Sequence, residues 1–320
     1  MTNKHLVSVL IPCYNAEKTI EDAINSILIQ DYDNIELIVI NDGSIDNSLQ
    51  ILEKIQKNDQ RLKVYSNDTN IKLIKTLNKG IQLCNGKYIV RMDADDISLK
   101  NRISKQVNFM EENTDVVVCG SYMETFGYRI KKTMSVPINH YNIINELFFN
   151  SSIYHPTAII RKSILENMRV SYDEFFPNAE DYKLWYDLSK YGKLANIPEV
   201  LVKYRISNTQ ISKINNLSLV DSTKKIRRLI INDFFASIGL QYNVPKIITL
   251  KEIKKVKILL HKLNCPNNLL LNYYLSLDKY SIASFIYYIF SFDFTKFKRN
   301  ESIRVFLKHF SRKWDKIKPL

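Results

Sequence analysis

The stretch KYIVRMDADDIS, residues 87–98, decides the fold of this 320-residue chain. Its aromatic and β-branched residues predict a short buried strand over residues 88–92. The strand ends in a loop with three carboxylates, Asp93, Asp95 and Asp96, which cannot enter a core unpaired. In open α/β sheets, ligands bind beyond the carboxyl ends of the strands. The loop therefore indicates a divalent cation held beside a phosphorylated ligand, although an isolated D-x-D is more often an acidic surface turn.

Apolar runs upstream of this stretch extend the pattern. Residues 6–11 and 35–40 are apolar runs typical of buried strands, residues 62–65 are a third predicted strand, and each is followed by apolar residues at helical spacing. Solid apolar strands joined by helices predict an α/β fold, a mostly parallel sheet with helices on both faces. Right-handed crossovers would bring the loops after the first, second and fourth strands to one edge.

The first two of these loops also have purely structural explanations. Tyr14 and Asn15 could cap a helix, and residues 42–44 could be an ordinary turn before Asp46, which would then cap the next helix. The joint occurrence of these loops and the D-x-D loop at consecutive strand ends favours a ligand site.

Beyond residue 97 the alternation of strands and helices loosens. The predicted elements are a strand, hairpin strands and a short helix, at residues 115–119, 122–133 and 142–149. The stretch NAEDYKLWYDLSKYG, residues 178–192, predicts a helix with one apolar face. Asn178 followed by Asp181 fits a capping-box-like helix start, which alone would explain this acid. The helix dipole would also stabilise the ionised carboxylate of Asp181.

Composition bounds the class of protein. With 45% apolar residues the chain can bury one large and one smaller domain, expected at residues 1–210 and 211–320. The net charge of +13 is uneven, since the first region has 25 Lys+Arg against 26 Asp+Glu and the second has 21 against 7. The second region is therefore expected to meet an anionic surface, membrane or nucleic acid. The four cysteines show no C-x-x-C spacing, so a zinc site or disulfide framework is not expected and a reducing cytoplasm fits.

The basic second region is predicted to be mainly helical. Residues 253–263 and 303–317 have apolar stripes opposed by Lys and Arg, and the uncharged run 280–292 is too short to span a bilayer. Basic amphipathic helices with aromatic residues fit adsorption to an anionic membrane leaflet. A helical subdomain packed on the core, or on a second subunit in a homo-oligomer, fits the same pattern equally well.

The ordered motifs of the first region carry a family resemblance. VSVLIPCYNAEKTIEDAINSILIQDYDNIELIVINDGSIDNS is followed by KYIVRMDADD, HPTAIIRKS and AEDYKLW. Over residues 6 to about 206 this set resembles the nucleotide-sugar-dependent glycosyltransferases of family 2, which have the GT-A fold. The resemblance implies a GT-A catalytic domain at residues 1–210, followed by a C-terminal helical extension.

The resemblance also implies a donor site. In that family the first strand and its loop hold the nucleotide base, which matches Pro12, Tyr14 and Glu17 here. The aspartate of the D-G-S motif, which contacts uracil in the family, matches Asp42.

Four acids match the family's two acidic motifs. The D-x-D acids match Asp93 and Asp95, with Asp95 the direct ligand of Mn²⁺ or Mg²⁺ and Asp93 nearer the ribose and the metal. The E-D motif matches Glu180 and Asp181, with Asp181 as general base and Glu180 in a supporting role.

Two positions depart from the family pattern. Relatives often have N-x-G after the third strand, whereas this chain has Lys72 at the third position, so a cationic side chain replaces a close backbone approach on the donor side. A common downstream histidine is replaced by Ser207, close to Arg205. Arg205, and His155 of the HPT motif, are expected to contact donor or acceptor.

The implied chemistry needs these groups. A metal bridging the diphosphate oxygens neutralises the leaving group, and a positioned carboxylate takes the acceptor's proton. One base without an enzyme nucleophile implies inversion. The expected enzyme moves a hexose or N-acetylhexosamine from a UDP-sugar to a hydroxyl of a polysaccharide, oligosaccharide or lipid-linked acceptor. Its expected setting is bacterial capsule, O-antigen or lipooligosaccharide synthesis, in the cytoplasm or on the inner membrane face.

Two other functions remain open at this point. A sugar-phosphate nucleotidyltransferase would also use an α/β sheet and acids, but it needs a glycine-rich basic loop after the first strand, which PCYNAEKT lacks. The net charge suggests a nucleic-acid-binding protein, but the near-neutral first region lacks a nucleic-acid-binding motif, so no nucleic-acid partner is expected.

Overall fold

The structure of the protein is a computed structural model that describes residues 4–127, 131–206, 217–237 and 243. Two compact units divide the chain, Met1–Tyr242 and Asn243–Leu320, and all described residues except Asn243 belong to the first. Ser207, Cys265 and the predicted segments 253–263, 280–292 and 303–317 lie outside the described residues.

The first unit alternates strands and helices before it becomes less regular. The described strands are β1 Val7–Cys13, β2 Ile35–Asn41, β3 Leu62–Ser66, β4 Tyr88–Arg91, β5 Ile97–Ser98, β6 Val116–Gly127, β7 Lys132–Met134, β8 Ile159–Arg161 and β9 Lys193–Ile206. The described helices are α1 Ile20–Leu28, α2 Ser48–Asn58, α3 Leu73–Leu83, α4 Arg102–Glu112, α5 His140–Leu147, α6 Lys162–Asn167, α7 Glu180–Leu188 and α8 Leu217–Ser237. The predicted α/β fold is confirmed, and the first four predicted strands are present with bounds shifted by at most two residues.

The strands form one sheet in the order β3-β2-β1-β4-β8-β6-β9-β5, with β7 paired to β6. The half from β3 to β4 is parallel, as its apolar runs predict. The other half is mixed, since β8 is antiparallel to both β4 and β6 while β9 is parallel to β6. Two reversals make β6 and β9 run in the direction of β4, so the carboxyl ends of all three lie at the same edge.

The region that the sequence divides into a strand and a hairpin forms one long strand, β6, with β7 folded back on it. Because β8 runs against β4, the segment before β8 also lies at the carboxyl edge. This segment contains a 3₁₀ turn, His155–Thr157. The mixed half of the sheet thus brings the HPT motif to the edge that carries the D-x-D loop.

The core lies on both faces of the central strands. Every residue of β2 and β4 is buried, which explains why apolar residues in these strands do not alternate with exposed polar residues. Helix α1 covers one face with Ile20, Ile24 and Ile27, all fully buried. Burying one such side chain contributes roughly 1.5–3 kcal/mol to the stability of the fold. Helix α1 therefore stabilises the strands whose ends carry the polar loops.

Helix α8 comes from the region expected to be separate, and it packs against α7. Asp233 accepts hydrogen bonds from Tyr186 and from Lys190, the latter at 2.8 Å, and Ser222 donates to the carbonyl of Pro177 at 2.9 Å. The division at residue 210 stays a prediction. Among the described helices, none has the length and apolar character needed to cross a membrane.

Candidate active site

The ends of β1, β2 and β4 converge at one edge of the sheet. β1 is hydrogen-bonded in parallel to both β2 and β4, so the loops after these strands are neighbours. Pro12 lies near the end of β1, followed by the half-exposed Tyr14, while Asp42 and Asp93 follow β2 and β4 closely. The structure therefore brings together the residues that the sequence assigned to the donor side.

Reciprocal hydrogen bonds join the first two loops. The backbone N–H of Asn15 donates to Ser44 Oγ at 3.0 Å, and the N–H of Ile45 donates to Asn15 Oδ1 at 3.0 Å. The carboxylate of Glu17 accepts from the backbone N–H and the side-chain amide of Asn47, at the start of α2. Glu17, expected at the nucleotide, thus also serves to hold the two loops together.

Asp42 organises the loop on the donor side. It is almost fully buried, and its carboxylate accepts from Asn67 Nδ2 at 2.8 Å and from the backbone N–H groups of Ile71 and Lys72 at 2.9 and 3.0 Å. The next residue, Gly43, has φ of +67°, and a Cβ there would lie 2.6 Å from the backbone of Thr69. Only glycine allows the two loops to approach this closely.

Lys72 has strained backbone geometry. Its φ of 76° and ψ of 159° fall in a region that glycine occupies almost alone. This is the position where the family pattern has glycine, so the backbone turn is kept although the side chain has changed. Such strain costs about 1–3 kcal/mol and is concentrated at functional sites.

The acids of the D-x-D loop form a cluster after β4. Carboxylate oxygens of Asp93, Asp95 and Asp96 lie within 4.8 Å of one another. Asp93 is also paired with the buried Arg91, whose Nη2 lies 2.6 Å from Asp93 Oδ1. Burial and then the negative charge of Asp93 raise the pKa of Asp95 to about 6.

Arg205 fastens this loop to the end of β9. Its backbone N–H donates to Asp96 Oδ1 and its Nε donates to the carbonyl of Asp95, both at 2.8 Å. Its guanidinium lies over the ring of Phe126, 4.6 Å from the centroid. Asp96 is fully buried, so it holds the loop in place, whereas Asp93 and Asp95 are partly exposed. Arg205, expected at donor or acceptor, here contacts the D-x-D loop.

The cluster fits a divalent cation by its chemistry. Carboxylate oxygens are the hard ligands that Mg²⁺ and Mn²⁺ take, and Asp93 and Asp95 can each offer one. The raised pKa of Asp95, caused first by burial and then by the charge of Asp93, means that a bound cation would stabilise its ionised form. No other group of three or more His, Cys, Asp or Glu residues in the described ranges could hold a metal in this way.

Glu180 and Asp181 form the first turn of α7. Asp181 accepts from Ser151 Oγ at 3.3 Å and from the backbone N–H of Tyr182 at 2.7 Å. Burial raises the pKa of both acids, and the charge of Asp181 raises the pKa of Glu180 further. A carboxyl group with a raised pKa is suited to accept a proton near neutral pH.

The capping box expected at this helix is wrong. The residue before the helix is Ala179, which makes no side-chain capping bond, and Asn178 instead donates to Ser218 Oγ of α8. Asn178 has φ of 63°, a left-handed conformation that an N-cap residue does not adopt. The carboxylate of Asp181 is therefore not explained by pairing with Asn178.

His155 is buried beside Tyr172 and Trp185. Its Nε2 is 2.7 Å from the hydroxyl of Tyr172, and its ring meets the ring of Trp185 edge to face. Burial, and then the nearby Arg91, lower the pKa of His155 well below its usual value, so it is neutral. His155, expected to contact donor or acceptor, helps instead to orient Tyr172 and α7.

Sequence reasoning missed several residues of this region. The backbone N–H and C=O of Tyr172 both hydrogen-bond to the side-chain amide of Asn78 on α3. The two residues are 94 positions apart, so no local sequence pattern could reveal the role of Tyr172. Ser151 has no motif of its own. Arg91 carried a signal, since a charged residue inside the apolar run YIVRM needs a partner, and that partner is the D-x-D loop.

Sequence comparison identifies the class. Residues 8–169 match the profile described as glycosyl transferase family 2. An uncharacterized glycosyltransferase of Haemophilus influenzae is 37% identical over 98% of both chains. The chain therefore belongs to glycosyl transferase family 2. The UDP-Glc:alpha-D-GlcNAc-diphosphoundecaprenol beta-1,3-glucosyltransferase WfgD of Escherichia coli is 30% identical over 65% of this chain and 80% of its own.

Solved structures share the fold at low sequence identity. S. aureus TarS 1-349 in complex with UDP-GlcNAc superposes with a TM-score of 0.58 at 20% identity, over 86% of this chain and 91% of its own. The mannosyltransferase PcManGT of Pyrobaculum calidifontis, in complex with GDP-Man and Mn²⁺, gives 0.54 at 15% identity over 95% and 84%. The expected GT-A fold is confirmed.

Proposed function

We propose that this glycosyltransferase moves a sugar from a UDP-linked donor to a hydroxyl of a polysaccharide, oligosaccharide or lipid-linked acceptor, with inversion and with a divalent cation. The observation that carries the proposal is that two acid pairs, from distant parts of the sequence, surround the same buried arginine, Arg91. Asp93 and Asp95 follow β4, while Glu180 and Asp181 open α7, and both pairs are close enough to Arg91 for its charge to act on them.

The donor is assigned to the side of β1, β2 and the D-x-D loop. Pro12 and Tyr14 would face the base, while Asp42 holds the loop that presents Lys72. A lysine at this position could contact the diphosphate of the donor. The names of TarS, in complex with UDP-GlcNAc, and of WfgD, a UDP-Glc-dependent enzyme, support a UDP-sugar of the hexose or N-acetylhexosamine class.

Asp95, with Asp93, would hold Mg²⁺ or Mn²⁺. When bound, the cation supplies positive charge against the diphosphate as it leaves. The Mn²⁺ in the PcManGT complex supports this assignment.

Asp181 is assigned as the general base on the acceptor side. The acceptor oxygen forms its bond to the sugar C1 as the bond from C1 to the diphosphate breaks, and the hydroxyl proton passes to Asp181. A single displacement of this kind inverts C1. Ser151 donates to one carboxylate oxygen of Asp181, which fixes the direction in which the acid faces.

The acceptor is assigned to bacterial surface polysaccharide synthesis. WfgD, whose name gives a diphosphoundecaprenol-linked acceptor, supports a lipid-linked substrate. Such a substrate would place the enzyme on the inner face of the membrane, where the basic region 211–320 could bind anionic lipid. Binding to anionic vesicles at low salt, lost on deletion of residues 299–320, would support this part, and no binding by the full chain would remove it.

The experiment that tests the function uses a panel of nucleotide sugars with and without Mn²⁺. Calorimetry is expected to find binding of UDP and of one or more UDP-sugars that depends on Mn²⁺. Asp95→Ala should abolish the metal dependence, because no neighbouring acid can take the position of a direct ligand. Asp68→Ala, which removes an exposed acid on the donor-side loop, is the matched control and should change nothing. Metal-independent UDP binding that is equal in wild type and Asp95→Ala would overturn the assignment.

A further inference from the structure

The buried arginine at the end of β4 has no role in the function proposed above. Arg91 is 3% exposed, and its Nη2 lies 2.6 Å from Asp93 Oδ1. Its Nε and Nη1 find no hydrogen-bond partner among the described residues. A buried donor without a partner costs about 1–3 kcal/mol, so a fold does not place one there for stability alone.

Arg91 occupies the boundary between the two halves of the site. Its backbone N–H donates to the carbonyl of Ala158 at 2.9 Å, which places it beside the turn His155–Thr157. That turn bonds through His155 to Tyr172, in the segment that leads to α7. Two residues after Arg91, the chain enters the D-x-D loop. One side chain therefore lies where the donor-side and acceptor-side segments meet.

The charge of Arg91 acts on both sets of acids. On the donor side it pairs with Asp93, and on the acceptor side it lowers the pKa of Glu180 and of Asp181. In Glu180 and Asp181 burial has the larger and opposite effect, so the pKa of each is still raised. Without this cation the pKa of Glu180 and of Asp181 would rise further, and their ionised forms would be less stable.

We propose that Arg91 is a positioning residue shared by the two halves of the site. It fixes Asp93 for cation binding, and it offsets the negative charge of Glu180 and Asp181 where the acceptor reacts. The inference rests on the proposed function, because it needs Asp93 to serve the cation and Asp181 to serve the acceptor. Partners that orient a metal ligand are typically worth about 10- to 100-fold in metal affinity or activity.

The two tasks of Arg91 make different demands on its side chain. Fixing Asp93 depends on the planar guanidinium fork, one arm of which, Nη2, is held against Asp93 Oδ1 in a direction that a freely rotating ammonium group does not reproduce, whereas offsetting charge requires only a cation. Arg91→Met is expected to weaken Mn²⁺ binding in the presence of UDP by about 10- to 100-fold. It is also expected to lower kcat at saturating Mn²⁺ and donor by about tenfold or more. Arg91→Lys should recover most of kcat but little of the Mn²⁺ affinity.

Arg161→Met is the matched control. Arg161 stands opposite Tyr88 at the other end of the β4–β8 pair and donates to the carbonyls of Met110 and Val116. It is therefore a structural arginine of the same two strands. Its loss should lower the melting temperature without changing Mn²⁺ affinity or saturated kcat.

The experiment measures Mn²⁺ affinity by calorimetry in the presence of UDP, melting temperature, and saturated kcat for wild type, Arg91→Lys, Arg91→Met, Arg161→Met and Asp95→Ala. Loss of Mn²⁺ binding in Asp95→Ala together with the Lys-versus-Met split supports the inference. If Asp95→Ala loses Mn²⁺ binding but both Arg91 variants change only the melting temperature, the inference is overturned and the proposed function stands. If Asp95→Ala binds Mn²⁺ as wild type does, the proposed function itself is overturned. Should Arg91→Met fail to fold, Arg91→Lys alone decides, since unchanged Mn²⁺ affinity in it contradicts the role of the fork.

Discussion

Acids in opposite surroundings lie at the two edges of the sheet: the buried Glu36 at one edge, and the acids of the candidate active site at the other. Near the amino end of β2, Glu36 accepts from Ser8 Oγ at 2.6 Å, from Lys63 Nζ at 2.8 Å and from the backbone N–H of Asn85 at 2.6 Å. Burial alone would raise its pKa, but these donors outweigh burial and lower the pKa to about 2. At the carboxyl edge, burial wins and the pKa of Asp95 rises to about 6.

The difference separates acids that stabilise the fold from acids that serve chemistry. A carboxylate with a full set of donors is stable as an ion and contributes to folding. Glu180 and Asp181 accept too few hydrogen bonds to offset the effect of burial on their pKa values. This lowers the stability of the fold and leaves both carboxylates able to accept a proton. Neutralising an acid should therefore have opposite consequences at the two edges.

The largest expected effect is on turnover and follows from Asp181→Asn. The variant keeps the shape of the side chain and leaves the donor side untouched, but it cannot take the acceptor's proton. Transfer should fall by about two to four orders of magnitude, the usual worth of a general base. Measured transfer rate, UDP affinity and melting temperature should show an inactive, folded protein that still binds donor.

Asp187→Asn is the matched control for this variant. Asp187 lies on the same helix and pairs with Lys183 at 2.5 Å, away from the D-x-D loop. Its loss should leave transfer unchanged. Near-normal transfer in a stable, donor-binding Asp181→Asn protein would remove Asp181 from the active site.

The next effect is on stability and follows from Glu36→Gln. The folded pKa of about 2 lies below the ordinary value of 4.5, so the stabilisation is fully present above about pH 4.5 and is lost as the pH falls toward 2. At pH 7 the variant should lose about 2 kcal/mol of unfolding free energy, and the difference from wild type should shrink as the pH falls below 4.5. Urea unfolding at pH 7 and at pH 3 measures both.

Asp33→Asn is the control for Glu36→Gln. The side chain of Asp33 is 88% exposed and forms only a surface ion pair with Lys4. Its replacement should hardly change unfolding at either pH. Transfer should be normal in both variants, and a large loss of transfer in Glu36→Gln would contradict the separation between the two edges.

The smallest effect is expected at Lys72, where backbone strain lies on the functional side. Lys72→Gly should relieve the positive φ and stabilise the fold by about 1 kcal/mol, after the greater freedom of glycine in the unfolded chain is counted. Lys72→Ala removes the amine but keeps the strain. Weaker UDP binding in both variants would support the donor contact, whereas normal UDP binding in Lys72→Ala would remove Lys72 from the donor site.

The parallel half of the fold could be predicted from the sequence, because short, mainly apolar runs alternate in it with segments that have apolar residues at helical spacing. The acids of the D-x-D loop could be placed for the same reason, since an apolar strand that stops at three carboxylates must end at an exposed edge. The long strand β6 and the antiparallel β8 could not be predicted, because their pairing depends on contacts between distant segments.

Contacts far apart in sequence also limit what could be predicted of the site. The sequence places Asp181 on a helix but attributes its setting to Asn178, which in fact bonds α8. The surroundings that matter come from Ser151, 30 positions away, and from Arg91. Local patterns find the acids of this site, while the groups that orient them and shift their pKa values require the fold.

The sign of the stability change on neutralising one acid at each edge tests this account most directly. Melting temperatures at pH 7 should be measured for Glu180→Gln and Glu36→Gln beside wild type. Because burial raises the pKa of Glu180, its ionised form is disfavoured in the folded state, so Glu180→Gln should melt at or above the wild-type temperature. Glu36→Gln should melt several degrees below it. A similar fall in melting temperature in both variants would contradict the claim that the acids at the carboxyl edge serve the reaction and lower the stability of the fold.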